Sequence, residues 1–196
     1  MRIAIFGAGG RTGRSVVDEA LSRGHEVTAF VRDAAEAAFP DDVTVVAGDA
    51  RERGAVGAAL AGVDAVLSAM GPVGDDPGTV YSEAVATVAA AMSTAGIRRL
   101  AVTANSRVLD DRPLKGAFAA VSEEHRRALA TLRASDLDWT VVATPMLSDD
   151  ETAGTYRATL DDVPEGDRIP RPDFARALAD ALDHDGWAGH VVGVAG

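Results

Sequence analysis

A chain of 196 residues with 47% hydrophobic content can bury one good core, so a single domain is expected over residues 1–196. No apolar run approaches the ~20 residues needed to span a bilayer. The absence of cysteine excludes disulfides, thiolate metal sites and a cysteine nucleophile. A net charge of −11 argues against nucleic acid, whose binding needs a basic footprint.

Strand-like and helix-like segments then alternate along the chain. Arg2–Phe6 is an apolar run ending at glycine and reads as a buried strand. Its start at Arg2 leaves no room for a secretory leader, so a cytoplasmic protein is expected. Arg11–Arg23 carries Val16, Val17, Ala20 and Leu21 at helical spacing, with Gly24 as its stop. Glu26–Val31, Val43–Ala47 and Ala65–Ala69 read as the next three strands. Thr79–Ala95 is an alanine-rich helix stopped by Gly96. Leu100–Ala104 is a fifth strand, Glu123–Ala134 a helix and Trp139–Ala143 a sixth strand. Asp173–Leu182 is a helix and His190–Val194 a last strand.

Strands separated by helices imply right-handed crossovers and a parallel sheet covered on both faces. The expected fold is α/β, a doubly wound Rossmann-like domain with about seven strands. Leu147–Pro172, rich in Asp, Gly and Pro, is expected as a loop region over the carboxyl ends of the strands, where such sheets bind ligands.

Four glycines fall within Gly7 to Gly13, between the first strand and the first helix. The register Gly7-x-Gly9 would need a third glycine where Thr12 stands. The register Gly7-x-x-Gly10-x-x-Gly13 is complete. In this place it is the signature of a dinucleotide-binding turn; a plain structural turn is the bland alternative. Gly7 permits the sharp exit from the strand, Gly10 lets the backbone approach a pyrophosphate, and Gly13 lets the helix lie close to the sheet. The helix start at Arg11–Thr12 offers unpaired N–H groups to the phosphates.

The end of the second strand selects the cofactor. A carboxylate there suits the ribose 2′-hydroxyl of NAD, and an arginine suits the 2′-phosphate of NADP. The first polar residue beyond the strand is Arg32, whose planar fork matches a phosphate, and Arg11 can assist. NADP is therefore expected over NAD. Asp33 keeps NAD open, and a surface ion pair between Arg32 and Asp33 is the bland alternative.

These stretches carry a resemblance. IAIFGAGGRTG, EVTAFVRD, VVAGDARE, GVDAVLSAMGP, SEEHRRALATLRASDLDWTVVATP, TAGTYRATLD and IPRPDFARAL span nearly the full length. Together they resemble the atypical short-chain dehydrogenase/reductases of the NAD(P)H-binding type, in particular the small flavin reductase or biliverdin-IXβ reductase branch. The resemblance implies that Asp49 sits against the adenine amine, with Ala50 beside it. It implies that Ala69, Met70 and Gly71 border the nicotinamide ribose. It also implies that Thr103 to Ser106, and Pro145, lie near the nicotinamide. A turn residue after Gly48 is the other reading of Asp49.

The departures are as informative. Ordinary short-chain dehydrogenases use a Tyr-x-x-x-Lys pair for proton transfer. Here four residues beyond Tyr81 and Tyr156 stand Val85 and Leu160, and Lys115 is the only lysine. The resembling reductases lack the dyad too, and place a hydride donor beside a conjugated acceptor. They carry a serine after the fifth strand and a histidine after the proline of the sixth; here those places read Ala104-Asn105-Ser106 and Pro145-Met146. Asn105 and Ser106 are therefore the candidate catalytic contacts, while Met146 cannot donate a proton.

The remaining polar residues read blandly. No metal site is expected, because the four histidines lack ligand spacing and read as surface residues, with His125 the one that could approach the cleft. Glu123–Glu124 and Asp149–Glu151 read as solvated acidic surface, and the sparse Met and aromatic residues as core. The expected function is an NADP-dependent reductase of a flavin-like or other conjugated small molecule, acting as a monomer, with no nucleic-acid or membrane partner. A non-catalytic NAD(P)-sensing regulator is the alternative from a different class.

Overall fold

The computed structural model describes residues 1–36, 38–72, 78–110 and 117–196. The amino-terminal half runs β1 (Arg2–Phe6), α1 (Arg11–Ser22), β2 (Glu26–Val31), β3 (Thr44–Ala47), α2 (Arg53–Ala59), β4 (Ala65–Ser68) and α3 (Val80–Ala95). The rest runs β5 (Arg99–Asn105), α4 (Ala117–Arg133), β6 (Asp138–Thr144), β7 (Leu147–Ser148), β8 (Arg157–Leu160), β9 (Ile169–Pro170), α5 (Arg171–Asp183) and β10 (His190–Ala195). Eight strands form one sheet in the order β3-β2-β1-β4-β5-β6-β10-β8, parallel except for β8 against β10. This is the α/β Rossmann-like architecture.

Period-two alternation in the strands builds two cores. Ala4, Phe6, Val66, Leu100, Val102 and Val141 face α2, α3 and α4; Ile3, Ile5, Leu67, Ala101 and Val142 face α1 and α5. On α1 the buried residues Gly13, Val16, Val17 and Ala20 repeat at helical spacing and pack against α5. Phe174 of α5 is fully buried in that layer, which stabilises the fold by roughly 1.5–3 kcal/mol.

The chain order reverses between β1 and β4, and the loops after these two strands therefore diverge at the carboxyl edge of the sheet. That divergence opens the crevice in which ligands of such sheets lie.

Three expectations need correction. The sheet has eight strands, because Arg157–Leu160 returns antiparallel along β10. Leu147–Pro172 is therefore not wholly loop: β7 and β9 pair with each other, and β8 extends the sheet. The fourth helix begins at Ala117, six residues before the expected start at Glu123. Among the described residues no helix is long and apolar enough to cross a membrane.

Candidate active site

The turn after β1 is shaped by sterics that differ glycine by glycine. Gly7 has φ 76°, a left-handed conformation, and a Cβ there would lie 2.9 Å from the Met70 nitrogen. A Cβ on Gly13 would overlap the carbonyl of Gly7. Both glycines are demanded by the fold itself. Gly10 is different: a Cβ would stand 3.4 Å from the Gly7 oxygen with nothing else near. Gly10 begins α1 with an ordinary φ of −73°, and no side chain caps the first turn. An uncapped helix start beside open space is the cradle a pyrophosphate needs. Thr12 is half-buried and Arg11 exposed at this same end.

At the end of β2, Arg32 is exposed. The Asp33 carboxylate accepts the Ala35 N–H at 2.9 Å, so it closes its own turn. Among the described residues no ion pair joins Arg32 to Asp33. Beyond β3, Asp49 accepts from the Arg51 backbone N–H at 2.9 Å and from Arg51 Nη2 at 2.6 Å. These Arg51 hydrogen bonds hold its carboxyl at about 2, below the usual carboxylate range. Ala50 is buried beside it.

The loop after β4 is tied on both sides. The Ala69 N–H donates to the Phe6 carbonyl at 2.9 Å, and Thr103 Oγ1 donates to the Met70 carbonyl at 2.6 Å. Gly71 is exposed. Asn105, the last residue of β5, donates through Nδ2 to Ser122 Oγ at 3.0 Å. Its Oδ1 is buried without a partner, as are Thr144 Oγ1, directly in register on β6, and Ser68 Oγ at the end of β4. Ser106 is buried, Pro145 half-buried and Met146 exposed at 56%. These orphaned atoms leave hydrogen-bonding capacity at the carboxyl ends of three adjacent strands.

The candidate residues therefore fall into three groups along one edge: Arg32 with Asp49 and Ala50, then Gly7 to Gly13, then Ala69 to Gly71 with Thr103, Asn105, Ser106 and Pro145. They suit a dinucleotide, on the open cradle at Gly10 and the unpartnered Asn105 oxygen. Lys115 lies outside the described residues.

Two readings fail on burial. His125 is 7% exposed, with Nδ1 unpartnered, and desolvation lowers its pKa to about 4. Glu124 is fully buried, accepting from the Ser82 backbone N–H and Ser82 Oγ, each at 3.0 Å. Sequence reasoning also missed Asp173, which is 0% exposed and accepts from Thr152 Oγ1 at 2.5 Å and the Ala153 N–H at 2.8 Å. Its signal was an acidic residue in the first turn of α5, where it reads as an ordinary helix-start charge.

The family model for NAD(P)H-binding proteins matches residues 7–185, from the first glycine of the turn to beyond α5. The chain belongs to this NAD(P)H-binding family. The uncharacterized protein YwnB of Bacillus subtilis is 28% identical over 204 residues, covering 94% of this chain and 93% of that protein. ChuY, an anaerobilin reductase from Escherichia coli O157:H7, superposes with a TM-score of 0.84 at 25% identity, covering 99% of this chain and 96% of ChuY. A 3-diazoavenalumate denitrifying reductase from Streptomyces is 36% identical over 112 residues, covering 51% of this chain and 36% of that enzyme. The NAD(P)H-binding chain thus has reductases among its relatives.

Proposed function

We propose that the protein is an NADPH-dependent reductase that passes hydride to a flavin-like or other conjugated small molecule. The observation that carries this reading is the open cradle at Gly10, above an uncapped helix start, with the exposed Arg32 at the end of the neighbouring strand β2. The α1 amides and Gly10 would hold the pyrophosphate. Arg32 would meet the adenosine 2′-phosphate, while Arg11 and Thr12 stand at the helix start beside the pyrophosphate. Asp49 and Ala50 would flank the adenine. Ala69, Met70 and Gly71 would border the nicotinamide ribose, and Thr103 and Pro145 the nicotinamide.

The bound cofactor would supply a hydride from the nicotinamide C4, and the protein's part is orientation and exclusion of water. Asn105 Oδ1, buried and unpartnered, is suited to accept from the carboxamide or from the acceptor, and Ser106 stands next to it. Neither tyrosine can serve as the acid. Tyr81 Oη donates to the Thr103 carbonyl at 2.8 Å, and Tyr156 Oη donates to Asp180 at 2.5 Å. Burial pushes both phenols up. The proton would therefore come from solvent.

Exposed Met146, which has no proton to give, favours a second reading as a non-catalytic NAD(P)-binding sensor. NADPH oxidation with a panel of flavins, quinones and linear tetrapyrroles separates the two. Turnover with at least one acceptor is expected; binding without turnover across the panel points to the sensor.

A further inference from the structure

The chain after β6 reaches back over the carboxyl edge, and there Asp149 meets two arginines. Arg11 Nη1 donates to Asp149 Oδ2 at 2.9 Å, and Arg171 Nη1 donates to Asp149 Oδ1. Arg11 is the first residue of α1 and Arg171 the first of α5. One carboxylate thus joins the helix of the glycine turn to its packing partner.

The three side chains are held unequally. The Arg171 side chain is only 13% exposed, against 65% for Asp149 and 74% for Arg11. Exposed ion pairs are weak and readily exchanged. Arg171 is fixed in place, and its Nε is buried without a partner, as is Ser148 Oγ, which stands in register with Pro170. Such donors are costly to leave unused. Behind Asp149, the backbone at Ala153 and Gly154 is pinned by the buried Asp173. Asp149 can therefore swing outward with Asp150 and Glu151 while the segment from Thr152 onward stays anchored.

We propose that Arg11 and Arg171 form a two-arginine clamp for the diphosphate of the bound dinucleotide, and that Asp149 is an internal anion which that diphosphate displaces. The inference rests on the dinucleotide reading of the glycine turn. A guanidinium pairs with phosphate by the same bidentate geometry it uses for carboxylate. The diphosphate carries two charges against the one of Asp149, so it is the stronger partner for the two guanidiniums. While Asp149 holds the clamp, apparent affinity falls by the fraction of molecules in which the clamp is engaged. NADPH and NADH share the diphosphate, so the effect is the same for both.

Calorimetric titration of NADPH and NADH into the native protein, Asp149→Asn and Arg171→Gln tests this, with thermal melting as the fold control. Asp149→Asn should tighten both dinucleotides by roughly threefold, the scale of an exposed ion pair. Arg171→Gln should weaken both by about tenfold or more, the scale of a charged hydrogen bond. If Arg171→Gln does not fold, Asp149→Asn, on an exposed loop, still decides the matter. Unchanged or weaker binding by Asp149→Asn overturns the proposal, as does an Arg171→Gln loss confined to NADPH. A native protein that binds neither dinucleotide removes the underlying reading as well; native binding indifferent to both substitutions removes this proposal alone.

Discussion

The imidazole of His125 meets the ring of Tyr81 edge-on, with centroids 4.9 Å apart and planes inclined at 66°. The contact closes the seam between α3 and α4. Burial, not the ring contact, keeps the histidine neutral, because charging it would leave a desolvated cation there.

Stability should therefore depend on pH through this residue. The unfolded chain takes up the proton near 6.5, the folded protein only near 4. Falling pH across that window favours the unfolded chain, by roughly 3 kcal/mol in all. His125→Phe should lose this part of the slope. Denaturant midpoints measured from pH 7 to pH 4 check it: parallel curves for the two proteins contradict a buried neutral imidazole.

Replacing Arg32 with Ala should cost about 1.5–3 kcal/mol of NADPH affinity, the usual worth of a charge-assisted hydrogen bond. NADH affinity should barely move, since it lacks the 2′-phosphate. Equal losses for both cofactors in calorimetry would refute the assignment.

Gly10 and Gly13 should respond in opposite ways. The Cβ of Gly10→Val meets only the Gly7 oxygen, at 3.4 Å, so the fold should persist while dinucleotide binding is lost. Gly13→Val runs into the Gly7 carbonyl and should cost about 1–3 kcal/mol of stability or more. Melting temperatures and NADPH titrations separate the two outcomes. Normal NADPH binding by Gly10→Val contradicts the cradle.

Changing both tyrosines to phenylalanine should leave NADPH oxidation within about tenfold, or ~1.4 kcal/mol of barrier. Their phenols are raised by burial and already donate to Thr103 and Asp180, so neither is poised for acid work at neutral pH. Asn105→Ala should hurt more. A hundredfold loss in a folded Tyr81→Phe variant that still binds NADPH sinks this mechanism.

What the sequence conveyed well was apolar. Ile3, Ile5, Val16, Val17, Leu67 and Val102 carry the strand and helix periods that define both cores, and the glycine turn between β1 and α1 has a spacing that few other structures need. What it concealed was polar burial. Glu124 and His125 look like solvated helix positions because their partners, Ser82 and Tyr81, lie on a helix some forty residues earlier. The strand Arg157–Leu160 is mostly exposed and has no buried face to betray it. The helix Arg53–Ala59 contains two glycines and little propensity of its own. Asp149 could be seen as acidic, yet nothing local to it announces Arg11 or Arg171.

The packing of α1 on α5 has a consequence for how the protein is made. Val16, Val17 and Ala20 face a helix that begins only at Arg171. At roughly 5–20 residues per second, a ribosome needs about 7–30 s to travel from the end of one helix to the start of the other. Through that interval the flank of α1 that packs on α5 has no covering. The glycine turn gains the rigid backing of α5 only after that interval. A nascent chain halted before Phe174 would expose a sticky helix face to chaperones and to other unfinished copies.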